Sequence, residues 1–214
     1  MSIESLYPFL YADKSDLNAV LEQVRASTVA KAAEIIELRA AIAKQDGARL
    51  EECAQETARR LAAGGRLFAF GNGGSATDAQ QLATLFLSNG SPAFALGNDT
   101  AIVTALCNDI GVEVVFSRQL AAFGRKNDIA IGLSTSGNSA NLLRAFETAS
   151  QKGMLTIGLA GYDGGKLAEL DTLDYLFVQP STSIHRIQEA QTTTYQVFWE
   201  LTQEGMSHVS RHTG

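Results

Sequence analysis

The sequence predicts an α/β protein built on a doubly wound parallel sheet, with a long helix ahead of it. Three observations lead there. From residue 66 onward, short apolar runs alternate with helical stretches, the order that a parallel sheet with crossover helices requires. Two of those runs end in loops of glycine, serine, threonine and asparagine that pass directly into a helix, a natural place to receive an anion. Residues 15–43 carry apolar side chains at helical spacing, with no glycine or proline among them.

Ser15 is a cap for the first helix, and Leu17, Val20, Leu21 and Val24 then fall on one face. A helix of this length exceeds what a lone small domain needs, so contact with another subunit is expected beside the plainer packing within its own domain. Asp46-Gly47 breaks the pattern, a second helix fits residues 49–63, and Gly64-Gly65 ends it. Strands are expected at residues 67–70, 93–96, 129–133, 155–159 and 175–178. Helices are expected between them at 75–87, 99–107, 112–123, 138–152 and 165–170, and a last helix at 184–204. Residues 207–214 show no apolar periodicity, which suggests disorder and leaves His208 and His212 without a role. The reading is one domain over residues 1–214: N-terminal helices over 15–63, an α/β core over 66–180 and a C-terminal helix over 184–204.

Composition narrows the function. A net charge of −6 argues against direct, non-specific nucleic-acid binding. Two cysteines, Cys53 and Cys107, form no disulfide framework and have no metal-ligand spacing, which fits a reducing compartment. The first thirteen residues lack a basic start followed by a long apolar run, and no segment approaches the ~18 apolar residues of a membrane span. A cytoplasmic protein is expected.

The first loop, Gly71-Asn72-Gly73-Gly74-Ser75-Ala76, formally fits a dinucleotide fingerprint, with Asp99 as a ribose contact, but a lone match is weak. The second loop spans residues 134–139 and holds four hydroxyls, those of Ser134, Thr135, Ser136 and Ser139. Small donors gathered at a helix N-terminus suit a compact phosphomonoester, whereas a cap and a polar turn need only one or two of them.

GNGGSATDAQ, NDTAIVTALCND, STSGNSANLLRA, LAGYDGGKLAEL and RIQEAQ together resemble the SIS (sugar isomerase) family, in its phosphoheptose isomerase branch. The resemblance covers about residues 30–205. It implies a five-stranded SIS-type sheet sandwiched by helices, a homotetramer and sedoheptulose 7-phosphate as ligand. By motif, Ser134, Thr135, Ser136 and Ser139 would hold the phosphate, while Asn72, Gly73, Ser75, Asp99 and Gln188 would line the sugar.

The chemistry of that family needs a base and an acid held against adjacent sugar carbons. It places a Glu and a His on the helix after the first loop, and a Gln and a His on the C-terminal helix, with a zinc ion among them. Here those positions hold Leu85 and Gln81, then Gln188 and Gln196. Neither Leu85 nor Gln196 titrates, and glutamine is a poor zinc ligand, so no metal or other cofactor is expected. Losing two groups worth ~10²–10⁴-fold each puts the family reaction in doubt. His185 and Glu189 are the weak replacement candidates; His185 fits better as a plain hydrogen-bonding residue, and Glu189 as a helix-start charge. Asp78, a further candidate, fits better as a first-turn residue near Ser75. The expectation is a phosphosugar-binding protein with the catalytic half of its site replaced. The alternatives are an isomerase of another phosphosugar and a non-catalytic partner-binding protein, like the SIS-folded type that associates with the replication initiator DnaA.

Overall fold

The computed structural model describes residues 17–212, with side chains to residue 208. The Ser15 cap and residues 213–214 therefore lie outside the described residues. The chain forms two units, residues 1–37 and 38–214. The described part of the first unit is helical throughout, and its stripe of Leu17, Val20, Leu21 and Val24 is exposed. That helix, α1, is Leu17–Ala62. The break expected at Asp46-Gly47 does not occur. Gly47 costs a helix only about 1 kcal/mol, and buried Ile42, Leu50, Cys53 and Ala54 on either side of it supply more than that by packing.

The core of the second unit is a five-stranded sheet in the order β2-β1-β3-β4-β5. The strands are β1 (Leu67–Gly71), β2 (Ala93–Ala95), β3 (Ile129–Leu133), β4 (Leu155–Gly161) and β5 (Tyr175–Gln179). Every pairing is parallel. Helices α2 (Gly74–Ser88), α3 (Thr100–Asp109), α4 (Val115–Phe123), α5 (Ala140–Gln151) and α6 (Ile184–His212) complete it, with short 3₁₀ turns at Val112–Val114 and Gly165–Glu169. Among the described residues no helix is long and apolar enough to cross a membrane.

A sheet covered on both faces needs apolar side chains on both, so its central strands β1, β3 and β4 are continuously buried rather than alternating. On one face Leu67, Ala69, Ile129, Ile131, Leu155 and Ile157 pack with residues of α1, α2 and α6. On the other, Phe68, Phe70 and Ala130 pack with α4 and α5. Phe70 lies 5.3 Å from Phe146 and 5.4 Å from Phe116, centroid to centroid. Gly132 makes room for that cluster, because a Cβ there would meet Phe146 and Phe70 at 2.6 and 2.7 Å.

The C-terminal helix runs past the expected end at residue 204 to His212, so residues 207–212 are helical. Gly205 does not stop it. A Cβ at Gly205 would stand 2.9 Å from the Ala58 side chain, so the glycine lets α6 approach α1 closely. Glycine serves here as a close-contact residue rather than a terminator.

Candidate functional site

From β1 the chain goes to β2 on one side and then to β3 on the other. The strand order therefore reverses between β1 and β3, and loops leaving their carboxyl ends open a crevice there. Gly71 pairs in register with Leu133, so the loops beginning at Asn72 and at Ser134 leave the sheet side by side. Two loops separated by some sixty residues thus become one site.

The first loop turns through Gly73, whose φ of 56° and ψ of −123° suit glycine, into α2. Gly74 lies against the Gln188 side chain, where a Cβ would collide with the amide. Asn72 and Asn141 exchange two hydrogen bonds, each amide nitrogen donating to the other's oxygen at 2.9 Å. That pair ties the first loop to the first turn of α5.

The second loop is held from two sides. Gln191 on α6 donates its side-chain N–H to the Ser134 carbonyl at 2.9 Å, in a buried contact. The Ser134 hydroxyl oxygen accepts from the Gly137 amide at 3.0 Å, and that of Ser136 from the Asn138 amide at 3.3 Å. Each accepts through oxygen and so keeps its proton for a ligand. Ser139 stands at the N-cap of α5 without using its side chain as a cap. Asn72, Ser75, Leu133, Ser134, Thr135, Ser136 and Ser139 line a cavity of about 90 Å³. It is rich in hydroxyls, carries neither Lys nor Arg in its wall, and sits at two helix N-termini. Such a space suits a compact oxyanion held by short hydrogen bonds.

A second, open cavity of about 380 Å³ lies along the next residues of α2, lined by Gly74, Thr77, Asp78, His185, Gln188, Glu189 and Thr192. Burial raises the Asp78 carboxyl above the ordinary range, against the pull of neighbouring Tyr195 and Thr192. Burial likewise raises the Tyr195 phenol. His185 is exposed at the start of α6. Glu189 is paired with Arg186 three residues away, which occupies it as an ion-pair partner. Two further cavities, of about 430 and 260 Å³, lie between α1 and α6, away from both loops.

Of the expected site residues, Asn72, Ser75, Ser134, Thr135, Ser136 and Ser139 share one cavity and Gln188 lines the other. Gly73 forms the turn between them. Asp99 lines neither. Its carboxylate accepts from the Ile102 amide at 3.0 Å as the N-cap of α3. Sequence reasoning missed Asn141 and Gln191, both buried and polar, and set Asp78 aside as a first-turn residue near Ser75. The signal for the first was an asparagine on an otherwise apolar helix face just after Ser139; Gln191, inside RIQEAQ, offered none.

The residues at the family's metal positions do not suit zinc. Gln81 uses its side-chain oxygen to accept from the Tyr195 hydroxyl at 2.9 Å. Leu85 packs against the core, and Gln196 is exposed on α6. Among the described residues no group of three or more His, Cys, Asp or Glu side chains is placed to hold a metal ion. Neutral amides and an aliphatic side chain are a poor donor set for that ion.

Residues 31–161 match the SIS domain family. The chain is 44% identical to phosphoheptose isomerase of Desulfovibrio desulfuricans, over 74% of this chain and 83% of that protein. It is 41% identical to the enzyme of the same name from Aneurinibacillus thermoaerophilus, over 73% and 81%. Among solved structures, phosphoheptose isomerase from Neisseria gonorrhoeae superimposes with a TM-score of 0.81 at 36% identity, covering 85% of this chain and 99% of that one.

Proposed function

The chain belongs to the SIS domain family, in its phosphoheptose isomerase branch, and on that premise we propose that it binds a phosphorylated sugar without carrying out the metal-dependent isomerisation. One observation carries the reading: the hydroxyl-lined cavity of Ser75, Ser134, Thr135, Ser136 and Ser139 at the crevice between β1 and β3. Its donors are neutral, numerous and aimed from helix N-termini, which favours a phosphate over a bulkier anion. Names of the relatives point to the same ligand class.

The second half of the proposal rests on Gln81, Leu85 and Gln196. Ketose–aldose isomerisation moves a proton between neighbouring carbons, and no side chain at these positions takes up or gives one near neutral pH. Glu189 is engaged by Arg186, and His185 lacks the positioned partner that an acid–base pair needs. We further propose that the protein is cytoplasmic and homo-oligomeric, since the exposed stripe of Leu17, Val20, Leu21 and Val24 suits burial against another copy.

Calorimetry against a set of phosphosugars, with turnover and bound metal measured on the same preparation, tests both halves. Binding without turnover or zinc is the expected result. Absence of binding for every phosphosugar would overturn the ligand assignment; turnover with stoichiometric zinc would overturn the non-catalytic assignment.

A further inference from the structure

The serine loop hydrogen-bonds with a consistent polarity. Its four successive carbonyls, from Ser134 to Gly137, are all occupied. Ser134 accepts from the Gln191 side chain at 2.9 Å and Ser136 from the Asn138 side chain at 3.0 Å. Thr135 accepts from the Gly161 amide and Gly137 from the Leu167 amide, each at 3.0 Å. None of these four donor residues lines the small cavity. The Gly137 and Asn138 amides go to the Ser134 and Ser136 hydroxyl oxygens. The amides of Thr135 and Ser136, which do line the cavity, have no acceptor among the described residues.

A trans peptide sets its carbonyl and its N–H in opposite directions. A carbonyl drawn outward therefore leaves the N–H of the following residue turned the other way, toward the cavity. Ser134 and Thr135 share one such peptide, and Thr135 and Ser136 share the next. Two of the outward donors are backbone amides, and Asn138 belongs to the loop itself. Gln191 alone is a side chain brought from another element, 57 residues along the chain on α6.

Gln191 is fully buried, and its Oε1 has no hydrogen-bond partner. An amide costs more to bury than an aliphatic side chain of similar size, and here only its Nε2 contact offsets that cost. Core filling alone therefore does not account for a glutamine at this position. Without its donor, the Ser134 carbonyl is free to swing inward and the Thr135 N–H to swing out. An acceptor would then face the anion in place of a donor.

We propose that Gln191 is a positioning residue for the anion site, holding the Ser134 carbonyl against α6 so that the Thr135 amide is aimed at the phosphate. The role rests on the phosphate reading above. Gln191 touches no ligand and acts on no reacting atom.

The test is calorimetry on the full chain with inorganic phosphate and sedoheptulose 7-phosphate, beside thermal melts and amide NMR. Gln191→Met keeps the length of the side chain and removes the donor. It lowers affinity for both probes by about tenfold or more, with a melting temperature near that of the wild type. Phosphate moves the Thr135 amide resonance in the wild type and leaves it in place in Gln191→Met. Gln191→His keeps a ring N–H at similar reach and recovers most of the affinity and the Thr135 shift. A Thr135 resonance that phosphate does not move in the wild type would overturn the proposal, even if the methionine variant failed to fold. Unchanged affinity in Gln191→Met would also overturn it, as would a folded histidine variant that has lost the Thr135 shift. If the wild type binds the probes and Gln191→Met binds them equally, the positioning role falls alone. If the wild type binds neither probe, the phosphate reading falls and takes this role with it.

Discussion

Asn72 and Asn141 lock together through a reciprocal pair of amide hydrogen bonds, 2.9 Å in each direction. One residue belongs to the loop after β1 and the other to the helix after β3, so the pair couples the two halves of the proposed phosphate site. Asn141→Ala should weaken phosphate binding although Asn141 does not line the cavity. A double-mutant cycle of Asn72→Ala and Asn141→Ala, read by chemical denaturation, should return a coupling of about 0.5–3 kcal/mol. Strict additivity would show that the pair carries no coupling.

The serine loop separates binding from folding. The Ser139 hydroxyl makes no capping bond, so Ser139→Ala should lower phosphosugar affinity by roughly tenfold while leaving the melting temperature near wild type. Ser134→Ala removes the acceptor of the Gly137 amide and should lower both. Calorimetry and thermal melts on the same samples check the contrast.

Metal binding should follow donor chemistry. Wild-type protein should carry no stoichiometric zinc by elemental analysis. Gln81→His, Leu85→Glu and Gln196→His introduced together with the native Gln188 should bring zinc binding back, because imidazole and carboxylate replace an amide, a leucine and an amide. Zinc on the unaltered protein would contradict the argument.

Two glycines should respond in opposite directions. Gly132→Ala drives a methyl into Phe70 and Phe146 and should destabilise by about 1–3 kcal/mol. Gly47→Ala lies within α1 with nothing inside 4 Å and should stabilise by roughly 0.5–1 kcal/mol. Denaturant midpoints decide both.

Stability should depend on pH through Asp46 and Asp78. Burial raises both carboxyls above 3.8 in the folded chain. The folded state therefore holds these protons at pH values where the unfolded chain has released them, and stability falls as pH rises from 3.8 through the raised folded values. Asp46→Asn should flatten that decline and gain on wild type above the window, since Asp46 Oδ2 is buried without a partner. Denaturation curves from acid to neutral pH measure the slope.

Much of this site was legible before folding was considered. Each apolar run that ends in a glycine- or hydroxyl-rich loop became a strand followed by a helix, because both signals are local. Ser134, Thr135, Ser136 and Ser139 are close in the chain, so their grouping needed no topology. Asp99 caps α3 through the Ile102 amide, a use that a carboxylate after a strand has beside the ligand contact expected of it, so sequence alone did not separate the two. Asp46-Gly47 misled as a helix break, and the helix end expected at residue 204, just before Gly205, was set too early. A glycine's cost of about 1 kcal/mol stands out in a local window and is overridden by the packing of Leu50 and Cys53, or by the close approach to Ala58.

The sequence by itself determined the order of strands and loops, the supply of hydroxyl donors in the second loop, and the absence of titratable groups at Leu85, Gln81 and Gln196. These are properties of residues and their near neighbours. Tertiary structure alone decided that β1 and β3 are adjacent, with Gly71 beside Leu133, so that two distant loops face one cavity. It also decided that Asn141 grips Asn72, and that the Tyr195 hydroxyl donates to Gln81. Those outcomes depend on which helix faces lie together, which sheet order and burial set over separations that no local pattern spans.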